Sequence, residues 1–366
     1  VTNEDSRARR RVVLLGPVPP PFGGVSVYLD ALAQHLERCG VRVWALYGDG
    51  ARNDPHIRFV KHRRLGVARA LLSEGRGARI LDATHFHFEH PHIVLLPLWL
   101  TLKRALGFEW YKNVHDGSLP ARHKNFSLVQ RFLFHRATRA VTEFVVVSEE
   151  LRRWLRDEIK VTQRVTLASS LLAPPTSALD APLSPATEQR LASYLRCARR
   201  VCSIGVFTPE YGFAHAAEVV ERLRAETGEE IGLVLLDGAF ARDEHYRAGV
   251  LRAGREWITV LENVPNAEVY RILQSSDAFV RAFAYESYGI SRVEAIWCGA
   301  TVVATNVGET RGMLTYEFGD MRALCAQLRR ALHDPPRADA TAWAETFWRE
   351  AEENLRAIKD ALDLDC

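Results

Sequence analysis

The stretch "YESYGISRVEAIWCGATVVATNVGETRGM", residues 285–313, decides how the second half of this chain reads. Glu286 and Glu294 stand in it with seven residues between them, and Gly289 lies in the gap. Ser291 to Cys298 reads as a helix. The apolar run "ATVVAT" (Ala300 to Thr305) reads as a buried strand ending ahead of Gly308. Before Glu286, the run "DAFVRAF" (Asp277 to Phe283) reads as a strand as well. Strand, carboxylate, helix, strand is the order of a parallel α/β sheet, in which ligands bind beyond the carboxyl ends of the strands. Glu286 therefore falls at a ligand-binding position. A carboxylate at a helix entrance accepts sugar hydroxyls, and the N–H groups of a helix start suit a phosphate. The plainer alternative is that Glu286 only caps the helix.

The same alternation extends to both sides. "RVVLLG" (Arg11 to Gly16) is a compact apolar strand, followed by the loop "PVPPPFGG". Next comes a helix with Val27, Leu29, Leu32, Ala33 and Leu36 at helical spacing and Gly40 as its stop. Strands are expected at 41–48, 83–88, 109–115, 143–148 and 164–169. Ser148 is a good N-cap, with Glu149 and Glu150 in the first turn where the helix dipole favours them. Four prolines between Leu171 and Thr187 mark a linker. A second series follows: strands at Arg200–Phe207, Ile231–Gly238 and Trp257–Asn263, with helices near 215–227 and 266–274. A polar helix, Ala338 to Leu362, closes the chain with Trp343, Phe347, Leu355 and Ile358 on its buried face. The expected architecture is α/β: two Rossmann-like, doubly wound domains facing a cleft. Residues 1–172 form the first domain, 173–187 the linker, 188–340 the second domain and 341–366 a terminal helix.

With 366 residues, 47% hydrophobic and 25% charged, the chain has the composition of a soluble protein of two domains. The longest apolar stretch, "IVLLPLWL" (Ile93 to Leu100), is too short for a bilayer span and reads as a buried helix. The opening "VTNEDSRARRR" is unlike a secretory signal. Six cysteines without CxxC or zinc spacing read as reduced thiols, and the expected location is cytoplasmic, with the inner face of the membrane open as a site of contact. Charge is uneven: residues 1–167 hold 27 Lys and Arg against 16 Asp and Glu, and the remainder holds 21 against 29. A basic half favours anionic partners such as a membrane surface or a phosphorylated acceptor, or else simply follows domain ancestry. No nucleic-acid-binding motif accompanies it, so no nucleic-acid partner is expected.

Three other features sit at strand ends. Gly23 and Gly24 precede the first helix, where backbone can approach a ligand closely, although the GxGxxG spacing and a P-loop lysine are absent. His115 ends a strand ahead of a glycine turn. His85 and His87 share one strand face with no carboxylate or cysteine at ligand spacing, so a packed face is favoured over a metal site.

Taken together, Glu286, Tyr288, Gly289, Glu294, Ala295, Gly299, Val302, Val303, Ala304, Thr305 and Gly308 resemble the Glu-x7-Glu motif of the retaining GT-B glycosyltransferases of family four, the group 1 type. "NVPNAEVYRILQSSDAFV" and "FVVVSEELRRWL" are similar to that family as well, and the resemblance covers nearly the whole chain. It implies transfer of a sugar from a nucleotide sugar to a glycan, lipid-linked or small-molecule acceptor, with no metal and no cofactor. It implies that the terminal helix returns to the first domain. Glu286 would hold donor-sugar hydroxyls and Glu294 the nucleotide ribose. Backbone N–H groups of Tyr288, Gly289 and Ile290 would approach the diphosphate, Gly23 and Gly24 would line the site, and His115 would lie near the reacting carbon.

One departure matters. The family's G-R-x-x-x-x-K-G, whose cations neutralise the leaving diphosphate, is "GVFTPEYG" here, with Val206 and Tyr211 in place of the cations. Arg281, Arg292 and Arg311 are the nearest substitutes in sequence, and Arg281 with Arg311 is the expected pair. A non-catalytic or weakly active homologue that binds a sugar nucleotide or a partner is the alternative. In the first domain, "ARHKNFSLVQRFLFHRATRA" (Ala121 to Ala140) interleaves cations with Phe and Leu, which allows a peripheral membrane contact or an ordinary amphipathic surface helix.

Overall fold

The computed structural model describes residues 11–19, 23–46, 56–60, 63–84, 92–174, 176–238, 243–286 and 288–365. The chain divides into two compact units, one built on residues 24–172 with the chain from Ala351 onward, the other on Ala173–Glu350.

In the first unit the elements run β1 (Val12–Gly16), α1 (Gly24–His35), β2 (Arg42–Ala45), β3 (Ile57–Phe59), α2 (Arg63–Glu74), β4 (Arg79–Asp82), α3 (Leu96–Leu106) and β5 (Glu109–Val114). They continue with α4 (Leu119–Lys124), α5 (Leu128–Ala140), β6 (Glu143–Val146), α6 (Glu149–Arg153) and β7 (Arg164–Leu167). All seven strands are parallel, in the order β3-β2-β1-β4-β5-β6-β7. Apolar strands buried on both faces are what a covered parallel sheet requires. Trp44, Trp110, Phe134 and Phe144 fill this core at 0% exposure. Ser148 caps α6 as expected, its Oγ accepting from the Leu151 N–H at 3.3 Å. The apolar stretch from Ile93 is helical, with Leu96 and Trp99 buried.

The second unit runs α7 (Thr176–Leu179), α8 (Pro185–Arg196), β8 (Arg199–Gly205), α9 (Phe213–Thr227), β9 (Ile231–Asp237), α10 (Glu244–Val250), β10 (Ile258–Glu262) and α11 (Asn266–Gln274). It goes on through β11 (Ala278–Arg281), α12 (Ile290–Trp297), β12 (Thr301–Thr305), β13 (Leu314–Tyr316) and α13 (Met321–His333) to the start of α14 (Arg337–Ala361). The parallel order is β10-β9-β8-β11-β12-β13, so strand order reverses between β8 and β11. Such a reversal opens a crevice at the carboxyl ends of the two strands.

Late in α14, Asn354 accepts from the Ser169 N–H at 3.0 Å and donates to the Leu171 carbonyl at 3.1 Å. Just beyond it, Asp363 pairs with Arg79 at 2.8 Å. Phe347 and Ile358 are buried, as the helical pattern requires.

Several expectations need correction. The strand expected at 83–88 lies earlier, at β4, where Ile80 and Leu81 enter the core; residues 85–88, including His85 and His87, lie outside the described residues. The proline-rich linker holds helical turns, because Ser184 caps α8 with Pro185 at its first position, a favoured site for proline. The thiols are not all reduced: Cys39 is disulfide-bonded, while Cys197, Cys202, Cys298 and Cys325 are free. A pairing without short Cys spacing leaves no local signal to read.

Candidate active site

β8 and β11 each run into a loop at the point where the strand order reverses, and the two loops pack on each other. Tyr211 stacks on Phe283 with ring centroids 4.3 Å apart, and the Ala284 N–H donates to the Glu210 carbonyl at 2.9 Å. Arg281, the last residue of β11, lies over both rings, its guanidinium carbon 5.0 Å from the Tyr211 centroid and 4.8 Å from that of Phe283. Such contacts stabilise a desolvated cation. Its Nη1 donates to the Ile204 carbonyl at 2.5 Å and its Nε to Glu286 Oε2 at 2.9 Å. The Nη2 meets no acceptor among the described residues. Both side chains of this pair are about one-tenth exposed, at 10% and 9%. A charge-assisted bond in such surroundings is stronger than one on the surface.

Two glycines enclose the stem of Glu286. Gly289, the N-cap of α12, has φ 91° and Gly308 has φ 70°, backbone that L side chains avoid. A Cβ on Gly289 would stand 3.1 Å from Glu286 Cγ, and one on Gly308 2.9 Å from the same atom. Glu286 does not cap the helix: α12 has no side-chain cap, so the plainer reading of this carboxylate does not hold. Next in the chain, the Tyr288 carbonyl accepts from the Glu309 N–H at 2.9 Å, which joins the two glycine loops. Ile290 opens α12, so backbone N–H groups of its first turn lie beside Glu286.

Arg292 supports these loops from the interior. It is fully buried; its Nη1 donates to the Val307 and Glu309 carbonyls and its Nη2 to Thr305 Oγ1 at 3.0 Å. Burial pushes its guanidinium down to about 10, still charged at neutral pH.

Glu294 lies one turn further along α12. It is buried, and Oε1 accepts from Tyr270 Oη at 3.0 Å, while Asn266 Nδ2 donates to the same Oη at 3.0 Å. Burial raises its carboxyl to about 7, against the opposing effect of the Tyr270 hydrogen bond. The Asn266 amide acts on the same carboxyl and opposes the rise as well.

Arg311 is differently placed. Its guanidinium spans Glu309 and Glu350, with contacts of 2.6 Å to each, and rests on the rings of Trp343 and Phe347. Hydrogen bonds from Arg311 hold the Glu309 carboxyl below the usual range even though burial opposes them. The structure thus brings Arg281, Glu286, Tyr288, Gly289 and Ile290 together with Arg292, and sets Glu294 and Arg311 in separate networks.

In the first unit, His115 follows the carboxyl end of β5, half-buried. Gly24 is the exposed first residue of α1, and Gly23 precedes it. Close to the end of β5, Lys112 is buried against Asp82, at 3.6 Å, and donates to the carbonyls of Asp82 and Thr84. That ion pair was not legible beforehand, because Lys112 sits inside an apolar strand pattern. Tyr270 and the Tyr211–Phe283 stack were missed for a similar reason: aromatic residues read as core.

Residues 198–347 match the family model "Glycosyl transferases group 1". Residues 198–347 are thus similar to the group 1 glycosyltransferases, and the fold is GT-B. Among curated relatives, alpha-maltose-1-phosphate synthase of Mycolicibacterium smegmatis is 29% identical over 159 residues, 38% of this chain, and the match spans only 40% of that protein. Solved structures match across nearly the whole chain. Sucrose-phosphate synthase of Thermosynechococcus elongatus does so at 17% identity and TM-score 0.62, over 96% of both chains. Alpha,alpha-trehalose-phosphate synthase (UDP-forming) of Burkholderia vietnamiensis does so at 13% and 0.65, over 96% of this chain and 97% of that one. Anabaena HepE, solved in complex with UDP and glucose, does so at 16% and 0.66, over 97% and 99%. At these identities the likeness establishes the fold.

Proposed function

We propose that this chain is a retaining glycosyltransferase that moves a sugar from a nucleotide-sugar donor to a glycan, lipid-linked or small-molecule acceptor. The observation that carries the reading is Glu286, enclosed by Gly289 and Gly308 and ion-paired with Arg281, at the point where the second sheet reverses its strand order. Glu286 accepts hydroxyls of the donor sugar. Glu294 accepts from the ribose. The N–H groups of Tyr288, Gly289 and Ile290, at the entrance to α12, and the Nη2 of Arg281 face the diphosphate. As the bond between anomeric carbon and phosphate oxygen breaks, negative charge gathers on the diphosphate. The acceptor oxygen bonds to the carbon on the face the phosphate leaves, and its hydroxyl proton passes to the departing phosphate oxygen. Donors already aimed at that charge lower the barrier without reorganising. Arg281 lies over Tyr211, the residue standing where the resemblance places a lysine, so the missing cation is supplied from β11 instead. No resident metal or cofactor enters the scheme. His115 and Gly24 of the first unit, and Gly23, remain candidates on the strength of the resemblance, and the basic, apolar α5 favours a lipid-linked acceptor.

A weakly active or non-catalytic homologue is the second reading. It is favoured by Val206, buried where the family has its arginine, and by the engagement of Arg281 with Glu286 rather than with solvent. Turnover of UDP-, GDP-, dTDP- and ADP-sugars, with Glu286→Ala as the control, separates the two. Hydrolysis or transfer that the control lacks supports the enzyme, and its absence across the panel supports the second reading. Product of inverted anomeric configuration would exclude retention.

A further inference from the structure

The first unit carries a cationic surface that the donor chemistry does not use. α5 opens with a capping box: Ser127 Oγ accepts from the Gln130 N–H at 3.3 Å, and Gln130 Oε1 accepts from the Ser127 N–H at 2.8 Å. Its first turn is therefore well fixed. That turn nonetheless exposes Leu128, Val129 and Phe132, at 84%, 67% and 64%. Phe134, Ala137 and Thr138, on the other side of the helix, are buried. Further along the exposed side, Arg136 and Arg139 reach a pocket of about 510 Å³ lined also by Phe132, Lys160, Thr162 and Gln163. No carboxylate lines it, although Asp157 and Glu158 precede Lys160 in the chain. Arg136, Arg139 and Lys160 are exposed and make no ion pair with any described residue.

Lys160 adds an independent sign. Its φ is 59°, in the left-handed region, within a turn closed by Ile159 N–H to the Trp154 carbonyl at 3.0 Å and Val161 N–H to that of Leu155 at 3.1 Å. Glycine would hold that turn with less strain. The lysine at this position brings an ammonium to the pocket.

We propose that α5 and this pocket dock the protein on an anionic lipid bilayer, with a headgroup phosphate among Arg136, Arg139 and Lys160 and with Leu128, Val129 and Phe132 in the interface. Charge complementarity supports this: Ala121 to Ala140 contains five Lys and Arg and no Asp or Glu. Exposed aliphatic residues, Leu128 and Val129, beside cations match the two-part binding of interfacial helices, whereas a single-stranded nucleic acid would add base stacking on an aromatic to its phosphate contacts and leave the aliphatic pair unused. The proposal rests on the first unit and not on the donor chemistry, so its test reads binding and not turnover.

The full chain is sedimented at low salt with phosphatidylcholine vesicles, with and without one-third phosphatidylglycerol. Binding is expected on the anionic vesicles only and is lost at high salt. A basic residue near such a surface contributes about fivefold, so Arg136→Ala/Arg139→Ala/Lys160→Ala weakens binding roughly a hundredfold. Leu128→Ser/Phe132→Ser weakens it about tenfold or more. Phe132→Trp, which keeps the apolar bulk, shows a blue shift of its emission on anionic vesicles. Equal partition onto neutral vesicles overturns the proposal, as does a triple variant that binds like the parent. So does retention on polyuridylate without vesicle binding at the same ionic strength.

Discussion

Two groups of cations, one in each unit, are held in opposite ways. In the second unit, Arg281, Arg292 and Arg311 are met by carboxylates, carbonyls and rings. In the first, Arg136, Arg139 and Lys160 stand exposed and without ion pairs. A buried cation must be met within the protein, because desolvation costs several kcal/mol. Such cations define fixed geometry, while exposed ones are available to a partner. The contrast also divides the second unit. Arg311 is spanned by two carboxylates, whereas Arg281 has one carboxylate and an Nη2 without an acceptor.

Removing Glu286 tests the second unit hardest. Glu286→Ala, measured as sugar-transfer rate at saturating donor, is expected to lose roughly a thousandfold or more, because the donor sugar loses its acceptor and Arg281 its partner. Arg281→Ala follows, with a loss in turnover corresponding to roughly 3–4 kcal/mol, the size of one electrostatic donor lost from a site of developing charge. Arg281→Lys should recover part of it.

Glu294 gives a signature in pH. Its carboxyl is raised to about 7 in the folded protein against an ordinary 4.5, so the folded state holds the proton more tightly. This contribution to stability is fully present below the ordinary value and is lost as pH rises through the folded one. Denaturant unfolding should show stability falling by up to about 3 kcal/mol over that interval, and Glu294→Gln should flatten the slope. Nucleotide affinity should move the other way, rising as the carboxylate forms. The smallest effect is expected for Arg311→Ala: about 2 kcal/mol less stable in the same titration, since Glu309 is left buried without its partner, with nucleotide affinity unchanged. If Arg311→Ala instead matched Arg281→Ala in turnover, the division between the two arginines would fail.

The alternating elements were legible because parallel strands buried on both faces read as plain apolar runs, as in "VVLLG" and "LVLL". Short or proline-flanked elements were not: β3, β13 and α8 carry too little periodicity to separate from loop. At the site, Glu286 and Gly289 stood out through strand-end position. The partner of Arg281 could not be read, since whether an arginine meets a carboxylate, a carbonyl or a ring depends on chain brought together across the sheet. Tyr211 is one such partner, a long way from Arg281 in sequence and stacked beneath it in the fold.

The most direct test is nucleoside diphosphate binding by calorimetry, with UDP, GDP, dTDP and ADP titrated into the parent protein and Arg281→Ala. One diphosphate should bind the parent and bind the variant about thirtyfold or more weakly, with its nucleoside binding both alike. Binding of none of the four, or equal affinity for parent and variant, would contradict the placement of the diphosphate on Arg281.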